Sequence, residues 1–315
     1  MRVMLITNPF ATFTTAEGRD ALANTLDSRY HVDVEHTTHR GHAGELGARA
    51  AAEGYDAVVV HGGDGSVNEA ANGILGSPDS LSRPPSSLPA LGVVPGGSAN
   101  VFARALGIDR DPLTATAQLM AILDRGERRS ISLGHTLNRW FLFNAGMGMD
   151  AIVVRRMEEL RHKGKKATAG RYFRTTVSSF VKPSITPPTF TVEVPGRPAI
   201  DGVRFGFVSN TGPWTYFGTR EIRTNPHTDF DHGLGIFAAT SVSVARNVVL
   251  GARLLAGTEP RAHHLYRDDD VEWVRFTSPE PADVQMDGDY LGVYDKMEFG
   301  YRRAVLDVVA TQKAG

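Results

Sequence analysis

Residues 58–75, VVVHGGDGSVNEAANGIL, combine glycines and polar side chains in an order that suits the binding of phosphate. The valines predict a buried parallel strand, the glycines at 62–65 predict a tight turn, and a helical pattern starts at Ser66. Glycines let backbone N–H groups approach an anion, and a helix begins with unpartnered N–H groups and its positive dipole end. The stretch therefore predicts a phosphate site; the alternative is a turn whose glycines serve only packing.

A second unit of this kind follows the predicted strand Ala90–Val94. It ends in PGGSAN at residues 95–100, and a helical pattern runs over Val101–Leu106. The first predicted strand, Val3–Ile6, is followed at its carboxyl end by Thr7, Asn8 and Pro9. Because ligands bind at the carboxyl ends of parallel strands, we expect the two glycine turns to hold one nucleotide between them.

These motifs resemble the superfamily of diacylglycerol kinases, sphingosine kinases, NAD kinases and phosphofructokinases. Residues 62–66 (GGDGS) carry the first resemblance, and the following Asn68-Glu69 pair is similar to the lipid-kinase branch. Residues 95–104 resemble P-G-G-[ST]-x-N-D-[FL]-A-R, although Val101 stands where many members have Asp. Residues 143–150 and 285–290 resemble F-x-N-x-x-G-x-G-x-D and Q-x-D-G-E, with Asp289 in place of Glu.

The resemblance implies an enzyme that uses ATP and Mg²⁺ to phosphorylate a lipid hydroxyl, most simply diacylglycerol giving phosphatidic acid. It implies nucleotide contacts by Asn8, Pro9, Thr12, Thr37, Thr38, Gly62, Gly63, Asp64, Gly65, Ser66, Asn68, Glu69, Gly97, Ser98 and Asn100. The choice between Thr37 and Thr38 stays open.

The catalytic residues implied by the resemblance are three acids. Asp64 contacts the metal or its water shell, Asp287 orients or binds metal-bound water, and Asp289 accepts the proton from the attacking hydroxyl. In an extended chain, residues i and i+2 face the same side, so we expect Asp287 and Asp289 to point the same way. The alternative is a polar Asp-Gly hairpin turn. Asp231, in a turn similar to D-D-G-x-[LF] but with His232 as its second residue, is the implied ligand of a structural Mg²⁺; the alternative is an ordinary turn without a metal.

Strands and helices alternate over residues 1–129, and the predicted strand His31–Thr37 alternates apolar and polar residues, which suggests an exposed or edge strand. Short alternating strands, including Trp140–Met147 and Lys296–Tyr301, and one good helix, Ser243–Ala256, follow. We therefore predict an α/β N-terminal domain with a parallel sheet (1–129) and a mainly antiparallel β C-terminal domain (130–315). This division leaves open whether the last strand pairs with the sheet of the first domain. The resemblance implies an active site in the cleft between the two domains.

Composition limits the partners. The net charge of −1 gives nothing that steers the chain to nucleic acid, and the absence of cysteine fits the cytoplasm. No apolar run approaches the ~20 residues that span a bilayer, so we expect peripheral contact with an anionic membrane. The basic segment Arg155–Arg174 is the candidate for that contact, with a solvated helix face as the alternative. The sequence leaves open whether the protein forms a homodimer.

Two other functions stay in view. One is a kinase for a soluble substrate, of the NAD kinase type, which the Asn68-Glu69 pair and the basic segment disfavour. The other is a non-catalytic nucleotide- or lipid-binding protein, which Val101 and the shorter Asp289 favour.

Overall fold

The computed structural model describes residues 1–148, 151–152, 189–241 and 243–312, so the basic segment Arg155–Arg174 lies outside the described residues. The chain divides into two compact units. Unit 1 comprises Met1–Leu133, Leu137–Trp140 and Arg302–Gly315, and unit 2 comprises Gly134–Thr136 and Phe141–Tyr301. Relative to the division predicted after residue 129, residues 130–133, Leu137–Trp140 and the C-terminal segment from Arg302 are assigned to unit 1.

Strands and helices alternate from the N-terminus, as the apolar patterns predicted. The elements up to residue 148 are β1 (Arg2–Thr7), α1 (Ala16–Asp27), β2 (His31–His36), α2 (His42–Ala52), β3 (Ala57–Gly62), α3 (Asp64–Leu75), β4 (Ala90–Pro95), α4 (Val101–Ala105), α5 (Pro112–Asp124), β5 (Arg129–Thr136), β6 (Arg139–Phe141) and β7 (Asn144–Gly148). Two 3₁₀ turns, Pro78–Ser80 and Pro85–Ser87, lie in the proline-rich stretch between α3 and β4.

The sheet of unit 1 is parallel. β1 pairs with β2 and β3, and β3 pairs with β4. Every residue of β3 and β4 is buried, which explains their continuous apolar runs. β2 lies at the edge of the sheet and is partly exposed, as its alternating sequence predicted. The C-terminal segment adds one more parallel strand through the pair Val308–Leu91. The carboxyl ends of β1, β3 and β4 carry the predicted phosphate-binding residues.

The remaining elements lie after residue 189. They are β8 (Phe190–Glu193), β9 (Ile200–Val203), β10 (Phe205–Ser209), β11 (Pro213–Phe217), β12 (Arg220–Arg223), β13 (Leu234–Ala239), α6 (Val244–Ala256), β14 (Leu265–Val271), β15 (Trp273–Met286) and β16 (Asp289–Val308). In unit 2 the strands of the main sheet follow the order β14-β13-β10-β7-β15-β16, and each neighbouring pair in this order is antiparallel. Phe190, Phe276 and Phe299 are central to its apolar core. The predicted fold class, parallel α/β followed by antiparallel β, is confirmed.

The structure differs from the predicted elements mainly in strand length. β16 is 20 residues long, although the sequence pattern predicted only Lys296–Tyr301. The rest of this strand includes exposed charged side chains such as Asp295 and Arg303, which interrupt its apolar signal. The predicted strand Trp140–Met147 is divided into β6 and β7, because backbone N–H groups at this division bind a side chain described below.

The described part of the chain contains no helix that combines the length and the apolar character needed to span a bilayer.

His61, the penultimate residue of β3, gives unit 1 a predicted sensitivity to acid. The residue is 2% exposed, and its Nδ1 lies 3.2 Å from the carbonyl oxygen of Val94. Burial lowers the pKa of His61 below its ordinary value of 6.5, although the Val94 carbonyl opposes the shift. Between these pKa values the unfolded chain binds more protons than the folded chain, so stability falls as the pH falls through 6.5.

We expect the melting temperature of the wild type to fall more between pH 7.5 and 5.5 than that of His61→Gln. The exposed His31 provides the matched control, and His31→Gln should retain the wild-type slope. An equal decrease of the melting temperature with pH in wild type and His61→Gln would show that another group governs the acid sensitivity.

Candidate functional site

The two predicted glycine turns lie side by side in unit 1. They follow the neighbouring strands β3 and β4, and the N–H of Gly96 donates to the carbonyl of Gly62 at 2.8 Å. A Cβ atom on Gly97 would lie 2.6 Å from the Cα atom of Gly63. The backbones therefore touch, and a side chain at Gly97 would force the turns apart. The close packing of the two turns is therefore sufficient to explain why residue 97 is a glycine.

Gly65 requires a different explanation. A Cβ atom built there meets nothing within 4 Å, and its φ is outside the left-handed region. Helix α3 begins at Asp64, two residues earlier than predicted, with Gly63 as its N-cap and no side-chain cap hydrogen bond. The first N–H groups of a helix have no intrahelical acceptor. The open space beside Gly65 and these donors together form a cradle that suits an anion.

The loop after β1 is attached to both glycine turns. The Asn8 amide donates from Nδ2 to Oγ of Ser66 at 2.9 Å, and the N–H of Phe13 donates to the carbonyl of Gly96 at 2.9 Å. Pro9 is half-buried between these anchors. The structure thus brings Asn8, Ser66 and the two turns together, as the sequence predicted.

Polar side chains also fix the two turns internally. Asn100, with φ of 50°, accepts from the N–H of Gly97 at 2.9 Å and donates to its carbonyl at 2.7 Å. Asp64 accepts from the N–H of Phe102 at 3.1 Å, so it connects the starts of α3 and α4. Burial raises the pKa of Asp64, while the N–H groups of Phe102, Val101 and Asn100 act in the opposite direction. This connection was not evident from the sequence.

The Asn68-Glu69 pair has a structural role in this geometry. Asn68 is 3% exposed and donates to the carbonyl of Trp140 at 3.0 Å, and Asn72 donates to the same carbonyl. Glu69 accepts from the N–H of Gly41, the N-cap of α2, at 2.9 Å. The contacts give no support to nucleotide binding by the Asn68 side chain, which faces buried backbone. The role of Asn72 as a second donor to this carbonyl was not evident from the sequence.

Exposure distinguishes the remaining predicted nucleotide contacts. Thr37 is 7% exposed, whereas Thr38 is exposed and its N–H donates to Nδ1 of His42 at 3.1 Å. Thr12 and Ser98 are exposed as well. Of the two neighbouring threonines, Thr38 is therefore the one whose side chain a ligand can reach.

In unit 2, the acidic motif forms a two-residue hairpin between β15 and β16. Asp287 and Gly288 have φ of 50° and 81°, and Met286 pairs with Asp289 across the turn. The prediction that Asp287 and Asp289 face the same side of an extended chain is therefore wrong. Asp-Gly is a favoured sequence for two-residue hairpins that need positive φ at both positions, so the turn residue Asp287 leaves the extended conformation.

The Asp287 carboxylate binds the backbone at the division between β6 and β7. It accepts from the N–H groups of Leu142, Phe143 and Asn144 at 2.6, 3.0 and 3.0 Å, and the residue is 8% exposed. Gln285 donates from Nε2 to Oδ1 of Asn144 at 3.1 Å. Two motifs that are far apart in the sequence therefore form one hydrogen-bonded unit. In this unit Asp287 supports the turn that leads into Asp289, and Asp289 is half-buried.

We expect Asp287→Asn to lower the free energy of unfolding by about 1–3 kcal/mol. In the variant an amide nitrogen replaces one carboxylate oxygen, and this nitrogen cannot accept a hydrogen bond from a backbone N–H. Asp295→Asn, an exposed change in the same hairpin, is the control and should leave stability unchanged. Chemical denaturation measures both. Equal stability of Asp287→Asn and wild type would contradict the anchoring role.

Asp231 is exposed, and its N–H donates to Oδ1 of Asp229 at 3.0 Å. His232 Nδ1 lies 2.6 Å from the same oxygen. Among the residues that the structure describes, no group of three or more His, Cys, Asp or Glu side chains could hold a metal ion. Metal binding by Asp231 stays a prediction, since one carboxylate with carbonyl and water ligands would not form such a group.

Comparison with known proteins agrees with this geometry. Residues 2–135 match the family model described as the diacylglycerol kinase catalytic domain. A diacylglycerol kinase of Bacillus subtilis (strain 168) is 34% identical over 119 residues, covering 38% of this chain and 36% of that protein. One from Staphylococcus aureus (strain JH9) is 33% identical over 129 residues, covering 41% of this chain and 37% of that protein. The aligned segment thus spans little more than a third of these relatives.

Solved structures resemble the chain over nearly its full length. A diacylglycerol kinase from Bacillus anthracis strain Sterne covers 98% of this chain and 97% of its own, with a TM-score of 0.71 and 16% identity. An NAD kinase from Archaeoglobus fulgidus in complex with ATP covers 99% and 95%, with a TM-score of 0.53 and 12% identity. At these identities the likeness establishes the fold. The resemblance of this chain to the diacylglycerol kinase family is confirmed, and residues 2–135 match its catalytic domain.

Proposed function

We propose that the protein is an ATP-dependent lipid kinase that transfers the γ-phosphate of ATP to the hydroxyl of a diacylglycerol-like lipid. The observation that carries the proposal is the cradle of unit 1, where the uncapped start of α3 lies beside the open space at Gly65. The names of the similar proteins, diacylglycerol kinases, support the choice of acceptor. The ATP complex of the structurally similar NAD kinase supports the choice of donor.

In this proposal, unit 1 binds and orients the triphosphate. Backbone N–H groups in the first turn of α3 donate to phosphate oxygens, and the Ser66 hydroxyl, oriented by Asn8, adds a donor. Ser98 and Thr38, both exposed, are candidates for further contacts with the nucleotide. The transition state of phosphoryl transfer is loose, so catalysis rests on positioning and on neutralisation of charge.

The residues present also fit Mg²⁺ bound with ATP. Mg²⁺ prefers one or two carboxylates together with water and phosphate oxygens, and Asp64 supplies one carboxylate at the phosphate turn. A nearby cation would stabilise its charged form, which burial disfavours. When bound, the ion would supply neutralising charge to the phosphates. Val101 removes a carboxylate that many family members have, and it is 3% exposed, so Asp64 has no acidic neighbour at that position.

Unit 2 supplies the acid–base residue of the proposal. Asp289 directly follows the hairpin turn that Asp287 anchors through three backbone hydrogen bonds, and these bonds fix the backbone that leads into Asp289. We assign Asp289 as the acceptor of the proton from the lipid hydroxyl. An aspartate is a weak base, but a loose transition state requires proton transfer only late in the reaction. Asp287 is a positioning residue here.

The lipid or soluble acceptor is best identified by testing several candidate acceptors side by side. The purified protein is incubated with γ-labelled ATP and Mg²⁺ and with separate pools of diacylglycerol, monoacylglycerol, sphingosine and NAD. The expected result is label in diacylglycerol. Label in NAD alone would establish a kinase for a soluble substrate. ATP binding without label in any pool would favour the non-catalytic alternative. Val101→Asp would then be the first variant to test for a gain of activity.

A further inference from the structure

The outward face of α6 in unit 2 is apolar. Val248, Val249, Ala252 and Leu255 recur at a spacing that places them within about a third of the helix circumference, and Val248 and Val249 are 59% and 60% exposed. The opposite face packs inward through Leu250, which is 5% exposed and belongs to a cluster with aromatic side chains. A surface helix ordinarily presents charged residues to water. In the part of the chain that the structure describes, this helix therefore has a second, exposed apolar face besides the one that packs on unit 2.

The charges of α6 have one sign. Its sequence contains two arginines and no acidic residue, and Arg253, which is exposed, lies one helical turn after Val249. Its guanidinium donates to the carbonyl of Arg261 at 2.8 Å. The nearby carboxylate of Glu259 is paired with Arg261 and Arg267, which limits its repulsion of an anion. The combination of an apolar face with arginine is typical of helices that lie in the interface of an anionic bilayer.

We propose that this face of α6, formed by Val248, Val249, Ala252 and Leu255, docks the protein on an anionic lipid bilayer. The proposal deepens the lipid-kinase function and rests on it, because the acceptor resides in the bilayer. A helix of 13 residues is about 20 Å long, which suits a position in the plane of the membrane. Four aliphatic side chains cover only a small part of the ~1,200 Å² that a stable protein interface buries, which disfavours a second copy as the occupant.

The test compares wild type with Val248→Gln/Val249→Gln. Glutamine is at least as good a helix former as valine, so α6 should persist. The control is Val34→Gln/Val293→Gln, which changes two valines that are 43% and 55% exposed on strands. Co-sedimentation with vesicles of phosphatidylglycerol and phosphatidylcholine is measured for all three. We expect the α6 variant to bind about tenfold or more weakly than wild type, and the control to bind as wild type.

A second measurement separates docking from catalysis. Turnover of a short-chain diacylglycerol dispersed as monomers should be equal for wild type and the α6 variant, whereas turnover of vesicle-bound diacylglycerol should fall. Wild-type vesicle binding by the α6 variant would overturn the docking proposal and leave the kinase function standing. If wild type phosphorylates no lipid, the kinase function fails, and the co-sedimentation result alone decides the docking surface. A wild-type dimer that the α6 variant converts to monomer would also overturn the proposal.

Discussion

Replacing Gly65 by alanine should weaken ATP binding about tenfold or more, a loss of at least ~1.4 kcal/mol, while the fold becomes slightly more stable. The two effects have opposite signs because they have separate causes. A Cβ atom at Gly65 enters space that no protein atom occupies within 4 Å, which we assign to phosphate. In the unfolded chain, alanine has less freedom than glycine, so the helix start gains up to about 0.5–1 kcal/mol. Isothermal titration with ATP and thermal unfolding measure the two quantities.

Gly251→Ala is the matched control for this variant. Gly251 also lies in a helix, and a Cβ atom there also meets nothing within 4 Å, so the control should be stabilised without any change in ATP affinity. Gly63 is less suitable, because its Cβ would lie 3.4 Å from Gly97 Cα and a larger side chain would separate the two turns. An unchanged ATP affinity in Gly65→Ala would place the phosphate site elsewhere.

Replacing Asp289 by asparagine should reduce turnover by about 10²- to 10⁴-fold, the range typical of a positioned general base. The KM for ATP should change little, because this residue belongs to the acceptor side of the reaction. Stability should also change little, since the backbone anchors of the hairpin are made by Asp287. Steady-state kinetics with vesicle-bound diacylglycerol and a denaturation curve measure these quantities.

Asp289→Glu distinguishes the base from a structural carboxylate. Glutamate is the residue that the similar motif has at this position, so activity should persist or rise if the carboxylate accepts the proton. The Asp287→Asn variant differs from both, because its loss of activity should accompany a loss of stability. Wild-type turnover by Asp289→Asn would transfer the role of base to another group.

The fold was predictable because its signals are local. Three consecutive valines and a glycine turn indicate a buried strand and its carboxyl end, and β3 is buried at every residue. The association of Asn8, Ser66 and the glycine turns followed from the rule that ligands bind where parallel strands end. The family motifs at residues 143–150 and 285–290 meet in the structure through hydrogen bonds from Asn144 and its neighbours to Asp287, while the predicted catalytic role of Asp287 stays a prediction.

The roles of single side chains were less predictable, because they depend on contacts between distant residues. The Asp287 carboxylate binds N–H groups more than 140 positions away, and Asn68 binds the carbonyl of Trp140. No local pattern encodes such partners. The same holds for Gly97 and Gly65, which look alike in the sequence, although backbone packing requires only Gly97. Their difference depends on whether a neighbouring turn occupies the position of the missing Cβ atom.

The most direct test of the proposed reaction compares two labels of ATP. Wild-type protein is incubated with Mg²⁺, vesicle-bound diacylglycerol and ATP labelled at either the γ- or the α-phosphate, and the lipid is separated by chromatography. We expect γ-label to appear in phosphatidic acid in proportion to the ADP formed, α-label to stay with the nucleotide, and Asp289→Asn to abolish most of the transfer. Release of γ-label only as inorganic phosphate, with none in lipid, would contradict the proposed reaction.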